Sequence, residues 1–469
     1  MLLIGSLLSR FITSMKKVLY ALAAAVLLAG SLTSCDSKLD IKPVNNVDAA
    51  QALLTSSDVE AALVGCYAGL QNGEAYGGYI QLMSDLLADN GEVTFVGTFI
   101  PPNQINRKSI LKDNGFVLAI WTNAYNVINR TNNVLANLSK LDTPAKQARV
   151  GGEARFIRAA LYFELVRLYA KDWGDGSPAA NPGVPLVLAP TLVLDASTQV
   201  RRNTVAEVYA QILADLTDAE AKMTTTSAAG GFFANTYAAA GMLSRVYLQQ
   251  GRFAEAAAAA NRVIVPKYSL LSSYKDEFYS GADLLPNSSE DIFAIQMSAQ
   301  SGSNQLSTFY SPTRRGDISI EDKHLNLYDP TDQRLGLFSL SNGQEYSDKY
   351  DSQYGNIKLM RLAEMYLTRA EANFRAGTAL GDTPLADLNR IRTRVGLAPA
   401  TGATLPAIQL QRKLELTFEG FRLGDVKRNR ESVTDPTGVV LPWNSPRLVF
   451  PIPLREISVN PNLTQNAGY

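Results

Sequence analysis

From Asn46 onward, hydrophobic residues recur at the three- and four-residue spacing of helices that bury one face. Between Glu153 and Tyr169, the positions Ile157, Leu161, Leu165 and Leu168 form such a stripe, with Arg155, Arg158 and Arg167 mostly off it. That spacing predicts an amphipathic helix. Thr204 to Met223 predicts another, opened by a capping box in which the Thr204 hydroxyl accepts a first-turn N–H while Glu207 reaches back. Asn235 to Gln250, then Gly251, then Phe253 to Val265 reads as helix, turn and helix. Ala240, Ala256, Ala257 and Ala260 allow close approach there, and Leu243, Val246 and Tyr247 supply bulk.

This last pattern looks like a tetratricopeptide unit, whose repeat is about 34 residues. Ile357 to Val395 predicts a second, with Leu359, Leu362, Tyr366, Ala370 and Phe374 on one stripe and a following helix that starts near Pro384. Trp121 to Leu138 with Glu153 to Tyr169 suggests a third, and Pro406 to Phe421 a partner for the last. Such pairs cannot bury their faces alone, so stacking is expected. The expected fold is mainly α: a tetratricopeptide-like helical-repeat scaffold with a large, irregular, loop-rich ligand-binding face. That face is assigned to the aperiodic stretches Gly73 to Gly115, Lys171 to Arg202, Lys267 to Gln353 and Ser432 to Tyr469, because long loops in compact domains are usually functional.

The amino terminus carries a different signal. Met15-Lys16-Lys17 is a positive n-region, Val18 to Gly30 an apolar run too short to span a bilayer, and Leu32-Thr33-Ser34 supplies small residues before Cys35. Leu-Thr-Ser-Cys resembles the lipobox of bacterial lipoproteins, which makes residues 1–34 a signal peptide and Cys35 the lipid anchor. Met15 is the expected true start, and the chain is read as running to its natural end. The whole sequence has 44 basic and 44 acidic residues. Loss of Arg10, Lys16 and Lys17 with the leader leaves the mature chain slightly acidic. With no basic stripe to release counterions from phosphates, nucleic acid is not an expected partner.

Chemistry is sparse. HExxH, GxSxG, P-loop and GxGxxG patterns are all missing, and a Ser14-to-Lys17 SxxK match falls in the leader. The lone histidine, His324, reads as a surface residue, and Cys66 as a small buried hydrophobe. No cofactor and no metal are expected. Aromatics are more suggestive: Tyr76, Tyr79, Phe95 and Phe99 in the first irregular stretch, and Phe309, Tyr310, Tyr328, Tyr346, Tyr350 and Tyr354 in the third. A sugar presents C–H faces that stack on rings and hydroxyls that suit Asn, Asp and Arg. The ligand-binding candidates are therefore Tyr76, Tyr79, Phe95, Phe99, Phe309, Tyr310, Arg314 and Tyr328, with Asp89, Asn90, Asn103, Arg315 and Asp317 as polar neighbours. Trp121, Trp173 and Trp443 read as structural.

Specific strings add a resemblance. Gly152-Glu153-Ala154-Arg155-Phe156-Ile157-Arg158-Ala159, Val184-Pro185-Leu186-Val187, Arg361-Leu362-Ala363-Glu364-Met365-Tyr366-Leu367, Leu388-Asn389-Arg390-Ile391-Arg392, Phe418-Glu419-Gly420-Phe421-Arg422 and Phe450-Pro451-Ile452-Pro453 occur in order. With the lipobox, they resemble the SusD/RagB family of Bacteroidetes outer-membrane lipoproteins. Gln411 stands where that family usually has glutamate, and Ala467 where it usually has proline.

The resemblance implies a single SusD-like body over 35–469, with an N-terminal part to 234 and a C-terminal part from 235. It implies four tetratricopeptide-like units, no catalysis, and a lipid-anchored protein of the cell outer membrane facing the exterior. Such a protein captures oligosaccharides, or in some members peptides, for a SusC-like TonB-dependent outer-membrane transporter. A surface-anchored glycoside hydrolase and a protein-binding helical scaffold are the competing readings. From residue chemistry alone, Arg390 and Arg394 share one helix face and Glu415 and Glu419 another, which predicts pairing between some of them.

Overall fold

The computed structural model of the chain describes residues 53–469 apart from 194, 225–230, 280 and 283. The expected leader and Cys35 lie outside the described residues. Several helices begin where a side chain satisfies their free N–H groups. Thr55 and Asp58 form a capping box for α1 (Ser56–Gln71). α2 (Tyr79–Ala88), α3 (Ile100–Asn106) and α4 (Gly115–Ala136) follow, the last capped by the Asn114 side chain. Thr143 caps α5 (Pro144–Tyr169), with proline in its first turn. The expected Thr204 and Glu207 box opens α6 (Val205–Lys222) with both bonds present.

α7 (Thr236–Gln249) and α8 (Phe253–Val263) turn through Gly251, whose φ of +71° suits a residue without a side chain. Further on come α9 (Gln305–Tyr310), α10 (Asp322–Leu325), α11 (Leu362–Ala376), α12 (Pro384–Arg394), α13 (Leu405–Glu415), α14 (Arg422–Asn429) and α15 (Leu454–Val459). The long helices stack in chain order, α4 on α5, α5 on α6, α6 on α7, α7 on α8, then α8 on α11 and α11 on α12 and α13. This is the mainly α, tetratricopeptide-like scaffold. Among the described residues, no helix is long and apolar enough to cross a membrane.

Three expectations change. The Glu153 to Tyr169 segment is not amphipathic: α5 is buried nearly all round, and Arg158 is inside the protein. It tolerates this because Asp215 on α6 takes its Nη2 at 2.7 Å and Nε at 2.8 Å, while Asn132 on α4 accepts from Nη1 at 2.8 Å. Leu359 belongs to a strand rather than to the helical stripe, since α11 starts only at Leu362. The last helix stops at Glu415, because Phe418 and Gly420 adopt left-handed backbone at φ +61° and +84°.

Several short strands interrupt the stretches expected to be irregular. They are β1 (Val93–Phe95), β2 (Leu284–Leu285), β3 (Asp291–Ile295), β4 (Ile318–Ile320), β5 (Phe338–Ser341), β6 (Gln344–Ser347), β7 (Tyr354–Gly355), β8 (Ile357–Arg361), β9 (Val433–Thr434) and β10 (Val440–Leu441). β1, β4, β6 and β5 form a four-stranded sheet in that order, and β3 pairs with β8 antiparallel. The β1–β4 pairing sets Phe95 opposite Ile318, which ties the first irregular stretch to the third.

β8 also delivers Arg361 into a buried charge hub. Its Nη1 meets Glu415 Oε1 at 2.6 Å, and its Nη2 and Nε meet Glu419 at 2.8 and 2.9 Å. Arg394 pairs with Glu415 and, at 2.6 Å, with Glu290, so the expected pairing between those two helices holds for this couple. Arg390 turns instead to Asp382 and Asp387 on its own side. Lys349 reaches Glu419 at 2.7 Å. Burial alone raises the pKa of Glu415, but Arg394, Arg361 and Arg334 override it and hold the carboxyl well below its usual range. Gln411, in place of the family's glutamate, still accepts from Arg334 Nη2 at 2.8 Å, while Asp332 supplies that guanidinium's negative partner.

Candidate functional site

Four aromatic rings converge beside the sheet. α2 begins with Tyr79, and the first turn of α4 presents Phe116, which stacks on Tyr79 at 4.3 Å and 28°. Phe99 caps α3, and α9 contributes Phe309. Phe309 meets Tyr79, Phe99 and Phe116 edge-on at 6.3, 6.1 and 6.4 Å. It is the floor of the group, 1% exposed, whereas Phe99 is 38% exposed and Tyr79 and Phe116 are half-buried. The Tyr79 hydroxyl has no hydrogen-bond partner among the described residues. Burial, reinforced by the Glu74 carboxylate, pushes its pKa up, so it is a donor at neutral pH.

A charged rim is held in register with the rings. Arg315 lies with Cζ 4.0 Å from the Phe99 centroid, and its Nε donates to Asp317 Oδ2 at 2.9 Å. The Asp317 carbonyl accepts from the backbone of Val96 and Gly97 at 2.8 and 3.2 Å, which pins the Phe99 loop to β4. Gly97 is required there, since a Cβ would fall 2.3 Å from the Asp317 carboxyl. Arg314 is exposed on the same turn. The arrangement offers flat apolar faces, an open hydroxyl and a guanidinium fixed by its own carboxylate, the chemistry that suits a polyhydroxylated ring.

The structure thus brings Tyr79, Phe99, Phe309, Arg315 and Asp317 together, with Arg314 on the adjoining turn. Phe116, absent from the sequence candidates, completes the set; it lies one residue past the stretch expected to be irregular. The other candidates have little or no surface to offer. Tyr76 is 0% exposed, and its hydroxyl donates to Glu164 at 3.2 Å and to the Ala160 carbonyl at 3.3 Å, inside the helical core. Phe95 is buried in the sheet, and Tyr310 packs on Phe418 at 4.9 Å and Tyr350 at 5.8 Å. Tyr328 is buried beside His324.

Among the weaker aromatics, Tyr346 and Tyr350 are buried and Tyr354 is half-buried in β7. Asp89 is spent capping the backbone of Glu92 and Val93, and Asn90 accepts from Thr434. Asn103 sits half-buried on α3. Trp121, as expected, packs in the core against Tyr125 and Tyr169.

His324 is not a surface residue: α10 turns its ring inward against Tyr328, Phe338 and Phe418, with Nδ1 2.9 Å from Glu92 Oε2. Burial would raise Glu92, but the His324 hydrogen bond and Lys413 bring it down to about 2. Together with Asp85, which burial raises to about 7, these groups line a partly open recess of about 50 Å³. At roughly 10–15 Å³ per water, that space holds a few waters and no sugar ring. Cys66 is buried as expected, with its thiol pushed up to about 12. Among the described residues, no group of three or more metal-ligating side chains occurs.

A helical-repeat scaffold that carries a partly exposed aromatic group defines the class of protein. The family described as "Starch-binding associating with outer membrane" matches residues 39–248, and the SusD family matches 318–469. The chain belongs to the SusD/RagB family. SusD-like protein P2 of Formosa agariphila is 27% identical, with 97% of this chain and all of the relative covered. The starch-binding protein SusD of Bacteroides thetaiotaomicron is 34% identical over a short stretch, 24% of this chain and 22% of that protein. A solved Bacteroides vulgatus protein that carries sugar binding in its name superposes with a TM-score of 0.80 at 28% identity, covering 89% of this chain and 99% of its own.

Proposed function

We propose that this protein is a non-enzymatic, glycan-binding lipoprotein of the outer membrane, which captures oligosaccharides on the Tyr79, Phe99, Phe116 and Phe309 arc. Delivery to a SusC-like TonB-dependent transporter and anchoring through acylated Cys35 complete the reading. The arc carries it: three partly exposed rings around a buried fourth, with the open Tyr79 hydroxyl and the Arg315 and Asp317 pair at the edge. The names of the relatives, starch binding and sugar binding, agree with the ligand class. An array of neutral oligosaccharides and peptides probed with the mature protein tests the ligand. The expected result is saturable glycan binding that Phe99→Ala weakens at least tenfold; binding of peptides alone contradicts it. Affinity purification from the native membrane tests the partner, with a TonB-dependent transporter expected in stoichiometric amount. A Cys35→Ala variant that still incorporates labelled fatty acid contradicts the anchor.

A further inference from the structure

A second cleft lies where the α7–α8 turn meets α14, and it shares no residue with the aromatic arc. Two of the chain's three tryptophans, Trp173 and Trp443, line it. Trp173 leans on Tyr209 at 5.1 Å, and both indoles are half-buried with ring N–H groups that have no hydrogen-bond partner among the described residues. Neither N–H is buried away from water, so each can donate to a ligand that enters the cleft. The same cleft holds an orphaned acceptor: Gln250 Oε1 is buried without a hydrogen bond. Unmatched donors and an unmatched acceptor in one concavity are the complement of a ligand that both donates and accepts, as hydroxyl groups do.

Charge narrows the class. Arg375 and Arg428 at this cleft are neutralised by Glu371, and Arg428 also by Asp425. Two cations are left over. Lys427 is 4% exposed, donates only to the Arg167 carbonyl at 3.2 Å, and has no carboxylate in salt-bridge range among the described residues. Arg430 is exposed, held in left-handed backbone at φ +57°, and its guanidinium meets only the Trp443 ring, at 5.4 Å. Asp172 and Asp175 lie near enough to Lys427 to favour its charge but do not bond it: Asp172 is occupied by Gln249 at 2.6 Å and the Gly174 amide at 2.9 Å, and Asp175 pairs with Lys171 at 3.5 Å. A buried cation that bonds no carboxylate directly gains from an anion that joins it. The cavity measures about 120 Å³. That is several times the roughly 10–15 Å³ that admits one water.

We infer that this cleft is a second saccharide site, which binds a single uronic acid residue, with the ring on Trp443 and Trp173 and the carboxylate toward Lys427 and Arg430. The inference does not rest on the arc's role as the neutral-glycan site. The test follows the indole N–H resonances of the mature protein during titration with D-glucuronate, with D-glucose as the uncharged counterpart and an acetylated glutamate peptide as the carboxylate alone. D-Glucuronate is expected to shift the Trp173 and Trp443 signals saturably and to leave Trp121 unmoved. D-Glucose and the peptide are each expected to bind at least tenfold more weakly.

Trp443→Ala and the exposed Arg430→Gln are expected to weaken glucuronate at least tenfold, while Phe99→Ala leaves it unchanged. Equal binding of glucose, equal binding of the peptide, or no shift of either indole overturns the inference. Loss of glucuronate in Phe99→Ala would move the site to the arc and overturn it equally.

Discussion

Arg361 and Phe99 show two opposite ways of using a side chain. Arg361 is 1% exposed, and its guanidinium is saturated by Glu415 and Glu419. Phe99 keeps 38% of its surface open and lies beside Phe116, Phe309 and the Arg315 guanidinium. In the hub each charged side chain has a partner inside the chain, and the atoms left without a hydrogen bond, Arg394 Nε and Glu290 Oε2, are buried, so the hub depends on its geometry. In the arc the floor is packed while the faces and the Tyr79 hydroxyl stay unmatched, so little of the fold depends on them. The difference separates residues that hold the protein from residues that are free to bind.

The largest effect is expected in the hub. Arg361→Met leaves Glu415 and Glu419 short of a buried counter-charge, and breaking such a pair costs about 3–5 kcal/mol. Denaturant unfolding should report that loss, with glycan affinity per folded molecule unchanged; a loss under 1 kcal/mol would remove the hub's structural role. Acid should act on buried ion pairs elsewhere in the fold. Glu92 falls from 4.5 to about 2 and Asp425 from 3.8 to about 2 on folding, so each stabilises fully above its unfolded value and loses that contribution as pH falls toward 2. Asp85, raised from 3.8 to about 7, acts the other way, and its contribution grows as pH falls from 7 to 3.8. The unfolding midpoint should therefore drop most steeply below pH 3.8, and a midpoint that holds steady from there to pH 2.5 contradicts the assignment.

Smaller effects belong to the arc. Tyr79→Phe removes only the open hydroxyl, and a hydrogen bond is worth about 0.5–1.5 kcal/mol, so glycan affinity should fall severalfold with stability unchanged. A destabilised Tyr79→Phe protein would mean that the hydroxyl is engaged within the fold.

The two regions also differ in how far the sequence reveals them. The hub lies in strings of fixed spacing, and the one-turn separation of Glu415 and Glu419 exposes its logic before any coordinates. Even so, Arg361 was hidden because Leu359 and Leu362 extend a helical stripe across a residue that is in fact the end of β8. The arc is assembled from four elements, α2, α3, α4 and α9, which no local pattern records. Tyr79, Phe99 and Phe309 could be proposed from composition, but Tyr76 and Tyr310 had the same credentials and are core residues. Phe116 falls between the irregular stretch that ends at Gly115 and the helix expected from Trp121, and nothing local marks its ring as the one that stacks on Tyr79. His324 was misplaced for a related reason: a polar neighbourhood in sequence conceals a partner such as Glu92, more than 200 residues away.

The most direct test is calorimetric titration of the array-selected oligosaccharide into wild type and Phe99→Ala, with the unfolding midpoint measured on the same samples. An aromatic face is worth about 1.5–3 kcal/mol when fully covered. The expected result is affinity reduced at least tenfold with the midpoint unmoved. Equal affinity in the two proteins would contradict the arc as the capture site.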